Sequence, residues 1–163
     1  MPAVKIIFLV MLYCLLMETT QAGSTKAHLH GKIISVPCYI NNKTALDFDF
    51  QRMGIKRIDG IRYAVSLDIP IQCDKDINAR LFLKIGSQAV SATQTHVIKT
   101  DVDNLNIALF DEHQNKELPL NTEIEIDKTQ TFRIKAVPVK EDPNKTLEAK
   151  PFTVMATMVA YYE

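Results

Sequence analysis

Tryptophan is absent, and glycine is scarce, with five in 163 residues. No glycine-rich phosphate loop occurs, and no pair of Cys-x-x-Cys motifs of the kind that builds a four-cysteine zinc site. An excess of charge of one sign is also missing: 19 basic side chains balance 19 acidic ones. Nucleic acid selects a basic face that pairs with phosphates, so this balance argues against it. Disorder is excluded as well, because 47% of the residues are hydrophobic and 23% charged, too apolar for an unfolded chain. The length suits one domain with a sizeable core. A soluble binding, structural or small enzymatic domain remains.

Long hydrophobic runs are lacking too. Ile6 to Met17 is an uncharged stretch of 12 residues, too short for a bilayer that needs about 20. It follows Lys5 and ends at Glu18, ahead of Thr20-Gln21-Ala22. A basic start, a short apolar run and a Thr-x-Ala end read as a secretory signal peptide, residues 1–22, cut after Ala22. The alternatives are a buried N-terminal helix, or a lipoprotein cut at Cys14. Tyr13 is too large for the position before a lipidated cysteine. No transmembrane segment is expected in the mature chain.

Three cysteines make an odd number, and cleavage removes Cys14. Cys38 and Cys73 remain in an oxidising compartment, where pairing is the default. Two buried free thiols are the alternative.

The remaining chain alternates with a period of two. Leu46, Phe48 and Phe50 are separated by Asp47 and Asp49. Tyr63, Val65, Leu67, Ile69, Ile71 and Cys73 keep one parity. Leu81, Leu83 and Ile85 repeat it, as do Leu105, Ile107 and Leu109, then Ile124 and Ile126, then Phe132, Ile134 and Ala136. The last run is Phe152, Val154, Ala156, Met158, Ala160 and Tyr162. Such alternation marks strands with one buried face, and turn residues separate the runs. Short strands in one domain with no convincing helix imply an all-β, two-sheet sandwich. Pro70 and Pro138 cannot donate to a ladder, so each is expected at an edge or a bulge.

Both ends of this pattern are irregular. Ala27, Leu29, Gly31 and Ile33 alternate on odd positions; Ile34, Val36, Cys38 and Ile40 alternate on even ones. One continuous strand cannot aim both sets at one core. Either residues 24–33 are a separate strand with no home in this chain, or a bulge at Ile33 absorbs the flip. The C-terminal run is the most apolar of all, and no later strand covers it. A spare strand at one end and an uncovered apolar edge at the other imply head-to-tail strand addition, a heterologous contact that builds fibres.

Together these segments resemble the pilus subunits of the chaperone–usher pathway, the type 1 and P-type pilins. His30-Gly31-Lys32-Ile33-Ile34-Ser35-Val36-Pro37-Cys38 is similar to the family's NGKVVAxPC segment. Leu46-Asp47-Phe48 is similar to the strand after the first cysteine, and Ile69-Pro70-Ile71-Gln72-Cys73 to the segment holding the second. Asn106 to Asp111 resembles the "giqlyd" strand. Phe152 to Glu163 resembles the terminal motif with its penultimate tyrosine, Tyr162. One departure is Lys150, followed by Pro151, where the family usually has glycine. The short mature chain points to a minor or adaptor subunit.

The resemblance implies an incomplete immunoglobulin-like sandwich at 34–163 that lacks its last strand, preceded by a donor-strand extension at 23–33. Thr25, Ala27, Leu29, Gly31 and Ile33 would be the donor face. Phe152, Val154, Ala156 and Met158 would line the acceptor groove, Tyr162 would anchor its end, and the Glu163 carboxylate would meet basic residues of a periplasmic chaperone. The implied partners are that chaperone, an outer-membrane usher and neighbouring subunits. The implied location is the periplasm and then a fimbrium on the cell surface. No cofactor and no enzymatic activity are implied. The competing reading is a complete secreted β-sandwich that binds a ligand and does not polymerise.

Other constellations carry less. His28 and His30 share a strand face, but two ligands are too few for structural zinc. Asp47 and Asp49 share a face that reads as solvated. His96 and His113 have no visible partners. Lys56, Arg57 and Arg62 read as a solvated loop. No serine sits in a nucleophile elbow, and no cysteine is left free for catalysis if Cys38 and Cys73 pair.

Overall fold

The computed structural model describes residues 38–74 and 79–163. The expectations for residues 1–33, including the donor face, the parity flip and His28 and His30, lie outside the described residues.

The described chain is all-β, with single 3-10 turns at Asn41–Lys43 and Ile55–Arg57. The strands are β1 (Cys38–Ile40), β2 (Val65–Ile69), β3 (Ile71–Cys73), β4 (Leu81–Gly86), β5 (Val97–Lys99), β6 (Leu105–Asp111), β7 (Lys116–Glu117), β8 (Glu123–Ile126), β9 (Phe132–Lys140) and β10 (Thr157–Tyr162). They form a sheet in the order β2-β9-β6-β5, with β7 paired to β6, a sheet β10-β4-β8, and a small ladder β1-β3. Every pairing is antiparallel.

The alternating residues supply the interior. Leu81, Leu83 and Ile85 of β4, Ile126 of β8 and Ala160 of β10 meet Ile69 of β2, Ile134 and Ala136 of β9, and Ile107 and Leu109 of β6 in one buried cluster. Strand β6 is buried on both faces, Asn106 and Ala108 included, as its central place in the larger sheet requires. A second, smaller cluster joins Ile58, Val102, Leu105 and Leu147.

The two prolines act differently. Pro70 splits the expected run from Tyr63 to Cys73: β2 joins β9 in the large sheet, while β3 turns to pair with β1. The residue that removes a ladder donor sits where the chain changes sheets. Pro138 lies within β9 opposite Ile107 of β6, but pairing with β2 ends at Ala136. At Pro138 that side of β9 is therefore an edge, and the missing N–H is not needed there.

Three expectations are corrected. Tyr63 is not in a strand; it adopts a left-handed φ of 62°, and its hydroxyl accepts a hydrogen bond from the Gly54 N–H at 3.0 Å. Leu46 to Phe50 alternates in burial but joins no ladder. The C-terminal strand starts at Thr157 rather than at Phe152. The last β4 residue paired with β10 is Gly86, opposite Thr157. There the Asn121 side chain takes the Ser87 N–H at 3.0 Å and donates to the Ser87 carbonyl at 2.9 Å. This turns the chain away and leaves residues 152–156 without a partner.

Replacing Leu83, which is fully buried, with alanine should cost about 3 kcal/mol through lost burial and a residual cavity. Val159→Ala, on the exposed face of β10, should change stability by less than about 0.5 kcal/mol. Urea unfolding of the oxidised chain reads both. Equal losses would contradict the assignment of the two faces.

Candidate functional site: an open groove between two unpaired edges

Two segments alternate like strands but pair with none among the described residues. In the first, 44–51, Leu46, Phe48 and Phe50 are half-buried against the main core, while Asp47 and Asp49 between them are exposed. In the second, 146–156, Phe152 and Val154 are half-buried against the same core, while Thr153 and Met155 are exposed, Met155 to 84%. Strand β10 continues the second segment and is bonded to β4 on one side only.

Between these walls lies a cavity of about 1470 Å³ whose floor is the core itself. Ile85, Ile98, Ile107, Leu109, Ile134, Ala136 and Ala160 all line it. Small-molecule pockets are typically about 300–1,000 Å³. This one is larger, and it is flanked by main-chain edges. An edge with free N–H and C=O groups over an apolar interior fits an added β-strand, which supplies the ladder and fills the floor with alternate side chains.

Each wall is fixed by its own device. The first leaves β1, where Cys38 is disulfide-bonded to Cys73 of β3, with their Cα atoms 4.0 Å apart and in register. Asn41, Asn42 and Lys43 then adopt left-handed φ values of 46°, 51° and 66°. Asparagine tolerates this conformation better than most side chains. The Asn41 N–H donates to the Pro70 carbonyl at 2.8 Å, and its amide group donates to the carbonyls of Thr44 and Ala45 at 3.1 and 3.3 Å. The β1-β3 ladder carrying both cysteines thus aims the wall.

The second wall leaves the loop at 141–145, which is held by Asn104. That buried residue has a φ of 66°. Its amide donates to the carbonyls of Asp142 and Lys145 at 2.9 and 3.1 Å and accepts the Asp142 N–H at 2.6 Å. Lys145 also pairs with Asp103. The Lys145 ammonium holds the Asp103 carboxyl below its usual range, and Asp103 raises the pKa of Lys145. Leu147 is then buried in the second cluster. Where the walls converge, the rings of Phe50 and Phe152 lie 6.0 Å apart.

The residues expected from sequence fall as follows. Phe152, Val154, Ala156 and Met158 all line the cavity. Tyr162 is not among the lining residues; it is half-buried against the main core and paired with Leu81. Glu163 is exposed, and its main chain exchanges two hydrogen bonds with Arg80, at 3.2 and 3.0 Å. Lys150 lies on the second wall and pairs with Glu148 at 3.7 Å. His96, for which the sequence offered no partner, is buried, with its ring 5.4 Å from that of Phe110 and Nδ1 3.2 Å from a Glu117 carboxylate oxygen. Among the described residues no cluster of histidine, cysteine or carboxylate side chains is arranged to hold a metal. Sequence reading missed Asn104 and Leu147; an asparagine beside a turn is the one signal available for the first.

Comparisons with known proteins bear on the family and the fold. A family model described as fimbrial protein matches residues 27–163. No curated protein matches the sequence. The fold is similar to that of PapF, the P pilus adaptor subunit, with a TM-score of 0.62 and 24% identity, covering 81% of this chain and all of that one. It is also similar to the P pilus rod subunit PapA, with a TM-score of 0.59, 17% identity and coverage of 85% and 100%. A subunit from a chaperone–usher pilus aligns with a TM-score of 0.56, 14% identity and coverage of 90% and 99%.

Because the Cys38–Cys73 bridge closes a loop with a sequence separation of 35, replacing both cysteines with serine should cost about 4 kcal/mol in the chain-entropy account. Denaturant midpoints of the variant and of the oxidised chain provide the test. Unchanged stability would mean that the bridge does not hold the first wall.

Proposed function

From its membership of the fimbrial protein family, to which this chain belongs, we propose that it is a structural subunit of an adhesive surface pilus. Residues 1–22 are a signal peptide that directs export, 23–33 a donor extension, and 34–163 the immunoglobulin-like body. A periplasmic chaperone lends a strand to the groove. At an outer-membrane usher the extension of a neighbouring subunit replaces that strand, and the subunit joins the fimbrium.

One observation carries this reading. Leu46 to Phe50 on one wall and Phe152 to Met155 on the other alternate in burial as strands do, yet neither wall has a ladder partner among the described residues, and the core is open between them. A donor with Thr25, Ala27, Leu29, Gly31 and Ile33 facing inward meets that need: alternate apolar groups for the floor and main-chain bonds for both edges. Gly31 suits a point where the floor leaves no room for a side chain. Three buried apolar side chains at about 1.5–3 kcal/mol each offset part of the ordering cost of association. Folding free energy drives the exchange, and no nucleotide or cofactor is used. No helix among the described residues is long and apolar enough to cross a membrane.

Thermal unfolding of two oxidised forms tests this. One is residues 34–163 alone; the other carries residues 24–33 after Glu163 through a short turn. The expected result is that the second stays monomeric and unfolds at a clearly higher temperature, while the first is marginally stable. If residues 34–163 fold equally well alone, the chain is a complete sandwich, and a ligand-binding role replaces polymerisation.

A further inference from the structure

Two features remain that the function above does not use. The first is the pair Asp47 and Asp49. They line the groove, stand exposed on the first wall and alternate with Leu46, Phe48 and Phe50, which face the core. The second is in the sequence of the extension. Between its odd apolar positions, every even position is basic or titratable: Lys26, His28, His30 and Lys32.

We propose that Asp47 and Asp49 form an acidic rim that selects the extension of a second copy of this chain, by pairing with His28 and His30. The proposal rests on the strand-addition reading. If odd residues of a donor fill the floor, its even residues point outward beside the rim. Both pairs have the same spacing, two residues apart on one strand face, so one register places a histidine beside each aspartate, with Lys26 and Lys32 flanking them. Cross-strand neighbours of opposite charge stabilise a ladder, and like charges oppose it.

The other charged groups at the groove do not remove this preference. Lys43 lies over the Tyr39 ring, 4.2 Å from its centre, at one end of the wall. Lys150, on the second wall, is paired with Glu148 of the same wall. Arg52 stands at the far end of the first wall. The outward positions of the second wall nearest the middle of the groove, Thr153 and Met155, are uncharged, so the acidic pair supplies the charge there. The Asp49 carboxylate also accepts the Gln51 N–H at 2.8 Å, which fixes its orientation.

Histidine gains charge below about pH 6.5. The joint is therefore tighter at pH 5.5 than at about pH 8, with salt weakening what remains exposed. A copy that accepts its own kind builds a run of identical subunits. That places this chain as a minor subunit present in several copies, rather than as an adaptor between unlike neighbours.

Fluorescence anisotropy with oxidised residues 34–163, which carry no competing extension, is the test. Two labelled peptides spanning residues 23–34 serve as probes: the native one, and one with Lys26, His28, His30 and Lys32 replaced by serine. The native peptide is expected to bind at least about fivefold more tightly at pH 5.5 than at pH 8, from one to two cross-strand pairs. The serine peptide should bind without that dependence. The double variant Asp47→Asn/Asp49→Asn, near-isosteric at exposed positions, should abolish the pH dependence and bind both peptides alike. Equal binding of both peptides to the unmodified chain at both pH values overturns the acidic rim and leaves the groove intact. Binding of neither peptide overturns the strand-addition reading together with the proposal.

Discussion

A β-edge over an apolar interior makes two demands at once: its main-chain N–H and C=O groups need partners, and its inward side chains need neighbours. In this chain both demands are concentrated on the segments 44–51 and 146–156. Each turns apolar side chains into the main core, and neither has a ladder. One added strand would meet both demands for both segments. The rest of the molecule depends on this constraint, because the floor of the groove is made of the same residues that hold the two sheets together.

The supporting structure positions the walls without closing them. Pro70 sends the chain from the large sheet into the small β1-β3 ladder, and the disulfide fixes that ladder at the origin of the first wall. Asn104, with three hydrogen bonds to the loop at 141–145, and Leu147, buried beside Ile58 and Val102, fix the origin of the second. Gly86 and Asn121 end the pairing of β4 with β10 at Thr157, so the second wall runs on unpaired. These are local devices of turn chemistry and covalent bonding, and they fix where each wall begins and ends.

Much of this is legible in the sequence because burial alternates. The runs around Leu67, Leu83, Ile107 and Ile134 are strands as their period implies, and Phe152, Val154, Ala156 and Met158 do line the groove. Periodicity reports which way side chains point; it is silent on whether a neighbouring strand exists. Leu46 to Phe50 and Phe152 to Ala156 therefore read as strands although no ladder forms there. Strand β5 escaped notice because Val97 and Ile98 are adjacent and both buried, which removes the alternation. Asn104 escaped because its role depends on a loop far along the chain. Tyr162 sits beyond the groove because the lining ends at Ala160, a distinction that depends on the depth of the floor and not on parity.

Amide hydrogen exchange on oxidised residues 34–163, which carry no extension of their own, followed with and without an added donor peptide, addresses the central claim most directly. The account predicts that amides within 44–51 and 146–156 exchange freely while those of β4, β6 and β9 are protected. On adding the peptide, both walls should become protected together, since one strand bonds to both edges. Protection of both walls in the absence of any donor, or of only one wall in its presence, would contradict the account.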